Sequence, residues 1–221
     1  MKISPPTIRN HALTLVELCI VIAVITGFAI FFALVPDRNV RARALSVQCL
    51  NNLKQTGMAL DTWSADHGEK FPMEISQTNG GTMEFAYGAY EWRHFQIMSN
   101  ELATPIVLHC PSEKWRKPAT NFISFNNSNL SYFINLDYSR PSPSAIWLGD
   151  RNITAGAPVN NGVLELTTNA PVAWTTEMHR KQGNLLMFDG SVQRVDKAGL
   201  RNAIANSGSF TNRLQMPILG P

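Results

Sequence analysis

Glu17 is the one acidic side chain in a long apolar run, residues 13–35 (LTLVELCIVIAVITGFAIFFALV). Insertion of a carboxylate into a bilayer costs about 2.5 kcal/mol or more on insertion scales, so the position of Glu17 indicates a functional role. If the chain were cut between Ala12 and Leu13, the new amino group of Leu13 would lie one helical turn from Glu17. The two charges would then form a compensating pair, within one chain or between neighbouring chains.

The three cysteines are a second source of chemistry. Cys19 falls in the apolar run, whereas Cys49 and Cys110 follow it, and the spacings of 30 and 61 residues do not fit the short chelating pairs of a zinc site. Cys49 and Cys110 are compatible with one disulfide or with two buried thiols. The sequence slightly favours thiols, because it provides no distance between the two positions.

No enzyme motif accompanies these residues. The chain has no G-x-S-x-G elbow, no H-E-x-x-H, no glycine-rich phosphate loop and no paired-carboxylate motif, so we expect no catalytic activity, no cofactor and no metal site. A net charge of +3, from 19 basic and 16 acidic residues, is too weak to favour a nucleic-acid partner. Carbohydrate binding by the five tryptophans stays open, although burial explains scattered tryptophans more often.

The apolar run itself predicts a membrane helix. Its 23 residues would extend roughly 34 Å, slightly more than the hydrocarbon thickness of a bilayer. Lys2 and Arg9 precede it without any acidic residue, so the positive-inside rule predicts a cytoplasmic N-terminus and export of everything after the run. The small residue Ala12 stands before the apolar run, where a secretory signal would place it afterwards.

The residues Ala12, Leu13, Thr14, Leu15, Val16 and Glu17 resemble the processing motif of type IV pilins and type II secretion pseudopilins. Ala12 stands where glycine is usual, and Leu13 stands where phenylalanine is usual. The resemblance implies cleavage after Ala12 by a prepilin peptidase, methylation of the new N-terminus, and polymerisation through the apolar helix, with Leu13 and Glu17 as the assembly residues. The alternative is a plain signal anchor whose Glu17 reaches the cytoplasmic interface.

A second helical pattern follows at once, over residues 36–68. Apolar or small residues recur at spacings of three and four and predict a face that docks on the globular head. Pro36 predicts a kink, and Gly68 a left-handed helix end. The face comprises Val40, Ala44, Val47, Leu50, Leu53, Gly57, Leu60 and Ser64.

Three further motifs resemble a subgroup of prepilin-like proteins found in planctomycetes and verrucomicrobia. They are a C-x-NNLKQ helix segment, a Cys-Pro-Ser, and a histidine followed after nine residues by Asp-Gly, the H-x9-DG signature. For His179 a structural role that pins the preceding loop to a hairpin is favoured over metal ligation, because Asp189 is committed to a turn. The matching residues are Cys49, Asn51, Asn52, Leu53, Lys54 and Gln55; Cys110, Pro111 and Ser112; and His179, Asp189 and Gly190.

Short apolar runs separated by turns predict a loop-rich antiparallel sheet. The clearest signal is a hairpin over residues 184–195, in which Asp189 and Gly190 would supply the two positive φ angles of a type I′ turn. The other strand candidates are residues 106–109, 130–134, 145–148 and 162–167.

The patterns predict an α+β fold, and the resemblance implies a pilin-like one, with a leader (1–12), a transmembrane and polymerisation helix (13–35), an amphipathic second half (36–68), a head (69–200) and a tail (201–221). The resemblance also implies the function of a structural subunit in a type II secretion or type IV pilus-like system. Calcium binding by the C-terminal loops, which some pseudopilins show, stays open. Its partners would be the prepilin peptidase, other pilin or pseudopilin subunits, an assembly platform and the inner membrane, with the head in the periplasm or in an extracellular filament. The alternative is a membrane-anchored periplasmic or surface binding module that uses the signal only for delivery. A carbohydrate- or peptidoglycan-degrading enzyme is a weaker possibility, since no carboxylate pair supports it.

Overall fold

The computed structural model describes residues 14–34, 38–137 and 142–219. They contain both helices and an antiparallel sheet, which confirms the predicted α+β class. Two units, 1–41 and 42–221, are compact by themselves. The kink predicted at Pro36 lies outside the described residues.

The described residues form five α-helices, eight strands and several short 3-10 turns. The helices are α1 (Leu15–Leu34), α2 (Arg38–Asp66), α3 (Trp92–Gln96), α4 (Ser99–Leu102) and α5 (Lys197–Ala205). The strands are β1 (Tyr132–Asn135), β2 (Ile146–Asp150), β3 (Ile153–Thr154), β4 (Val163–Thr167), β5 (Ala173–Trp174), β6 (Gly183–Met187), β7 (Val192–Val195) and β8 (Thr211–Gln215).

Helix α1 lies in the first unit, and nearly all of its residues are apolar. The window Leu15–Phe32 is long and apolar enough to cross a membrane, and none of its residues is buried within the chain. An apolar surface on all sides requires a lipid or protein environment, because water would otherwise meet every side chain.

The second unit is built on a six-stranded sheet in the order β4-β8-β1-β2-β6-β7, with every neighbouring pair antiparallel. Side chains that alternate along a strand enter two different cores: Tyr132 and Ile134 lie in one, and Phe133 lies in the other. Both faces of the sheet are therefore covered, which explains why β1, β2 and β6 are buried at every position.

Helix α2 covers one face of this sheet. Leu53, Leu60 and Trp63 are almost completely buried in the core that contains Leu148 and Leu186. Gly57 allows a close approach, since a Cβ there would lie 2.5 Å from Cδ2 of Leu186. The second half of α2 thus docks on the head as predicted.

The first part of the predicted face does not dock. Val40 and Val47 are each 54% exposed, and burial along the helix begins at Ser46 and Cys49. The apolar residues keep their helical spacing from Val40 onward, but the buried residues of α2 begin only at Ser46.

One strand prediction was wrong, and one strand of the six-stranded sheet was missed. Residues 106–108 belong to a 3-10 helix, Pro105–Leu108, and His109 follows its end; Pro105 starts this helix, and the Thr104 hydroxyl accepts a hydrogen bond from the Ile106 N–H. For the tail, residues 201–221, the sequence predicted no element, but this segment contains the end of α5 and all of β8, and β8 lies inside the sheet between β4 and β1. Its sequence, TNRLQ, does not resemble a buried strand because most of its residues are polar. Asn212 and Gln215 are nevertheless buried, and they form hydrogen bonds with Ser207 and His94.

The hairpin of β6 and β7 is present, but its turn differs from the prediction. Only Gly190 has a positive φ, 77°, and the loop has three residues, closed by bonds from the Gly190 N–H to the Met187 carbonyl and from the Met187 N–H to the Ser191 carbonyl. This pattern is a turn followed by a glycine bulge, which needs one left-handed residue where a type I′ turn needs two.

Buried His94 yields a prediction about pH. Its Nε2 lies 2.8 Å from Oε1 of Gln215, whose amide nitrogen donates to the Phe85 carbonyl, so Nε2–H is the donor and Nδ1 accepts from the Thr82 hydroxyl. Burial lowers the pKa of His94 from 6.5 to about 4, and the folded state therefore holds fewer protons than the unfolded chain between these values. We expect the free energy of unfolding to fall by up to about 3 kcal/mol as the pH falls from 6.5 to 4.

Denaturant titration by tryptophan fluorescence across this range, on the native chain and on His94→Gln, measures the contribution. The variant should lose a smaller share of its stability on acidification. Identical pH dependence of the two chains would contradict the assignment of a neutral His94.

Candidate functional site

At the start of α1, Thr14 and Glu17 hold each other in a capping box. The Thr14 N–H and hydroxyl both donate to Oε2 of Glu17, each at 2.8 Å, and the Glu17 N–H donates to the Thr14 hydroxyl at 3.3 Å. This reciprocal pair satisfies N–H groups that the first helical turn leaves without carbonyl partners. Ala12 and Leu13 lie outside the described residues, so the expected amine–carboxylate pair stays a prediction.

In the second unit, Cys49 of α2 and Cys110 of the head form a disulfide, with their Cα atoms 5.0 Å apart. The slight preference for two unpaired thiols was therefore wrong. The positions meet because α2 lies against the chain that follows the Pro105–Leu108 turn, where Nδ2 of Asn52 donates to the His109 carbonyl at 2.9 Å. Cys19 is a free, exposed thiol on α1.

His179 lies beside this disulfide on a strained loop. His179, Arg180 and Lys181 have successive φ angles of 47°, 53° and 67°, a left-handed run without glycine. Each such residue costs on the order of 1–2 kcal/mol, so the surrounding contacts must hold the loop in place.

Those contacts come from the strand ends beneath the loop. Nδ2 of Asn152 lies 3.2–3.3 Å from three carbonyl oxygens, those of Thr175, Met178 and Gln182. Arg151 ties the same loop to the rest of the head, with ion pairs to Glu177 at 2.9 Å and to Glu113 at 2.7 Å. The imidazole is therefore positioned by a preorganised backbone.

The His179 ring closes what we term the bridge cluster: Cys49, Cys110, His179, Asp150 and Asn184. Nε2 of His179 is 3.2 Å from Sγ of Cys110, 3.3 Å from Oδ2 of Asp150 and 3.0 Å from Nδ2 of Asn184. Asn184 also donates twice to Oδ2 of Asp150, from its backbone N–H at 2.7 Å and its side chain at 2.9 Å.

Burial controls the charges of this cluster. It raises the pKa of Asp150 to about 8, against the opposing effect of the Asn184 hydrogen bonds, and it lowers the pKa of His179 to about 4. Both groups are therefore mainly uncharged at neutral pH, and the 3.3 Å contact between them is not an ion pair.

The Asp-Gly half of the H-x9-DG signature lies at the other end of β6. Oδ1 of Asp189 accepts from the Ser191 N–H at 2.8 Å, and the Gly190 carbonyl accepts from Nζ of Lys54 at 2.6 Å. The spacing of nine residues thus covers one loop and one strand. It places His179 in the loop before β6, which begins at Gly183, and the Asp-Gly turn after the strand ends.

The structure brings most of the motif residues to α2 or its surroundings. Asn52, Leu53 and Lys54 contact the head, Cys110 is bonded to Cys49, and Sγ of Cys49 lies 4.0 Å from the Ser112 hydroxyl. Asn51 and Gln55 are exposed, and Pro111 is half-buried. Sequence reasoning did not select Asp150, Asn152 or Asn184. Their only signal was a polar residue bordering an apolar strand.

The donor atoms of Cys49, Cys110 and His179 lie within 4.8 Å of one another, as in a metal site. Zinc binds thiolates, however, and the two sulfurs are joined to each other here. In the disulfide state the cluster is consequently a structural element that links α2 to the head.

Removing the bridge should weaken the head. The double substitution Cys49→Ala/Cys110→Ala opens a loop of 61 residues and is expected to lower the free energy of unfolding by about 4 kcal/mol in the chain-entropy treatment. Denaturant titration of the non-reduced chain measures this loss, with Cys19→Ser as the matched control. Equal stability of the double variant and the native chain would exclude a bridge that stabilises the head.

Comparison with known proteins adds no relative to these observations: no family model, curated protein or solved structure matches the chain. The resemblance to pilin-like proteins therefore stays an expectation carried by the motif residues. The structure adds the spatial arrangement of these residues. Helix α2, which carries the C-x-NNLKQ segment, is joined to the Cys-Pro-Ser motif by the disulfide and to the H-x9-DG turn by the hydrogen bond from Lys54 to Gly190.

Proposed function

We propose that the chain is a membrane-anchored, pilin-like structural subunit that is processed after Ala12 and assembles through α1. The observation that carries the proposal is the surface of this helix. Its apolar window is uncovered on every side, and a single carboxylate stands in its first turn. Such a surface needs lipid or other helices, and the carboxylate marks the position where a polar partner belongs.

A stripe of small residues supports helix–helix contact. Cys19, Ala23 and Gly27 follow one another at intervals of four, so they share one face of α1. A Cβ at Gly27 would meet nothing within 4 Å, and Ala23 and Gly27 line an apolar groove with Val24, Phe28 and Phe31. Small residues at this spacing let helix backbones approach closely within a membrane.

The capping box supports a second role for Glu17. Its Oε2 accepts from the Thr14 N–H, one residue after the amino group that cleavage would create. In the assembled state the same carboxylate would face the Leu13 amine of its own chain or of a neighbour. A charge pair in that position offsets the cost of the carboxylate and sets the register of adjacent subunits.

One prediction of the proposed function concerns proteolytic processing of the N-terminus. The chain isolated from the membranes of its native host should begin at Leu13 and carry a methyl group on its amine, because Ala12 to Glu17 match the processing motif. Intact-mass analysis with N-terminal peptide sequencing measures both features. Membrane-derived chains that retain Lys2 and Arg9 would contradict the proposal.

The second prediction separates the charge of Glu17 from its capping. Glu17→Gln keeps a side-chain oxygen for the Thr14 N–H, so α1 should form and insert as before. We expect the variant to leave the filament fraction for the membrane fraction, since the amide cannot neutralise an amine. Quantitative immunoblotting of sheared filaments and membranes measures the distribution.

The matched control is Glu69→Gln, which removes the same charge from an exposed site in the head. It should enter filaments like the native chain. If Glu17→Gln also does so, or if the native chain forms no filament with its host machinery, the anchored binding module becomes the better description.

A further inference from the structure

We propose that reduction of the Cys49–Cys110 disulfide converts the bridge cluster into a tetrahedral Zn²⁺ site with Cys49, Cys110, His179 and Asp150 as ligands. The inference concerns only the second unit, residues 42–221, so its test does not depend on filament assembly. It also goes against the sequence, whose widely spaced cysteines predicted no metal site.

The first argument is the convergence of donor atoms. Two cysteine sulfurs, an imidazole nitrogen and a carboxylate are ligand types of zinc, and the donors of Cys49, Cys110 and His179 lie within 4.8 Å of one another. Asp150 lies beside this group rather than within it, with its Oδ2 3.3 Å from Nε2 of His179, and its carboxylate is the nearest candidate for a fourth ligand. All four side chains are buried, with Cys49, Cys110 and Asp150 at 0% exposure and His179 at 8%.

The second argument is an unpartnered oxygen. Among the residues that the structure describes, Oδ1 of Asp150 has no hydrogen-bond partner although it is buried. Oδ2, in contrast, accepts twice from Asn184. A carboxylate that is oriented by hydrogen bonds through one oxygen and open at the other is arranged like a metal ligand supported by its outer shell.

The third argument is distance. Zn–N and Zn–O bonds of roughly 2.0–2.2 Å in a tetrahedron place nitrogen and oxygen about 3.4 Å apart, and a Zn–S bond of about 2.3 Å places sulfur and nitrogen about 3.6 Å apart. The measured separation of Sγ of Cys110 and Nε2 of His179 is 3.2 Å, and Nε2 lies 3.3 Å from Oδ2 of Asp150, the oxygen beside the proposed ligand oxygen Oδ1. Metal binding therefore requires two adjustments: the parting of the two sulfurs, which reduction permits, and a rotation of the Asp150 carboxylate that brings Oδ1 toward them.

Charge also fits the proposed ion. Two thiolates and one carboxylate carry three negative charges, so the zinc complex has a net charge of −1. Arg194 acts electrostatically on both Asp150 and His179, and its guanidinium is held by a 2.9 Å hydrogen bond to Ser46 of α2. The complex therefore has a counter-charge in place.

The chemical step balances with a dithiol as the reductant. The dithiol delivers two electrons and two protons, the S–S bond breaks, Cys49 and Cys110 become thiols, and the dithiol becomes a disulfide. Zinc binding then releases the two thiol protons and the Asp150 proton to solvent as the metal–ligand bonds form. In the reverse exchange, the disulfide form of the reductant takes two electrons from the thiolates and two protons from solvent, the Cys49–Cys110 bond forms again and the metal is released.

Co²⁺ is the spectroscopic probe for this site, applied to the full chain in detergent. The chain is reduced with dithiothreitol, separated from the reductant without oxygen, and titrated with Co²⁺ followed by Zn²⁺. We expect one Co²⁺ per reduced chain, with the intense visible bands of tetrahedral thiolate coordination, displacement by Zn²⁺, and no uptake by the oxidised chain.

Substitutions identify the ligands. His179→Gln and Asp150→Asn should each lower the affinity for Co²⁺ by more than about tenfold, and Asp150→Asn keeps the size of the side chain. The matched controls are His67→Gln, Asp189→Asn and Cys19→Ser, which should bind Co²⁺ like the native chain.

Three results would overturn the proposal. They are no uptake of Co²⁺ by a chain whose two additional thiols react with a thiol reagent, unchanged affinity in both His179→Gln and Asp150→Asn, and loss of the near-ultraviolet circular dichroism of the head on reduction without recovery in Zn²⁺.

Discussion

The docking of α2 on the six-stranded sheet is the contact on which the head depends. Leu53 and Leu60 are fully buried against the sheet, and Gly57 lets the helix backbone approach Leu186. Burial of this order contributes about 1.5–3 kcal/mol for each large apolar side chain, before the entropy of ordering is subtracted. A helix bound in this way gives the loops of the head a fixed surface on which to assemble.

The polar motif residues secure the same contact from its edges. At one end the disulfide joins Cys49 to Cys110, and farther along Lys54 reaches the carbonyl of Gly190 in the hairpin turn. Asn52 holds the backbone beside Cys110. Three motifs that are far apart in sequence therefore act on one helix, which gives a physical reason for their presence together in one chain.

The strained loop at His179 shows how the head supports a costly conformation. A left-handed run without glycine persists because Asn152 binds three of the loop's carbonyls and Arg151 pairs with Glu177. The result is an imidazole held against a disulfide and a buried, mainly protonated Asp150. A disulfide alone requires no imidazole or carboxylate beside it, so these additional donors are the feature that a zinc site would explain.

The sequence by itself determined the elements whose signals are local. The apolar run predicts α1 because uninterrupted hydrophobicity needs no tertiary partner to be recognised, and Gly68 and Gly190 take left-handed angles because they lack a Cβ. Tertiary structure decided everything that depends on distance between remote residues. Cys49 and Cys110 are bonded because α2 lies on the sheet, and β8 is a central strand because His94 and Ser207 satisfy its buried Gln215 and Asn212. Asp150 and Asn184 have no local pattern that marks them, since a buried polar group acquires its role only from the partners that the fold brings to it.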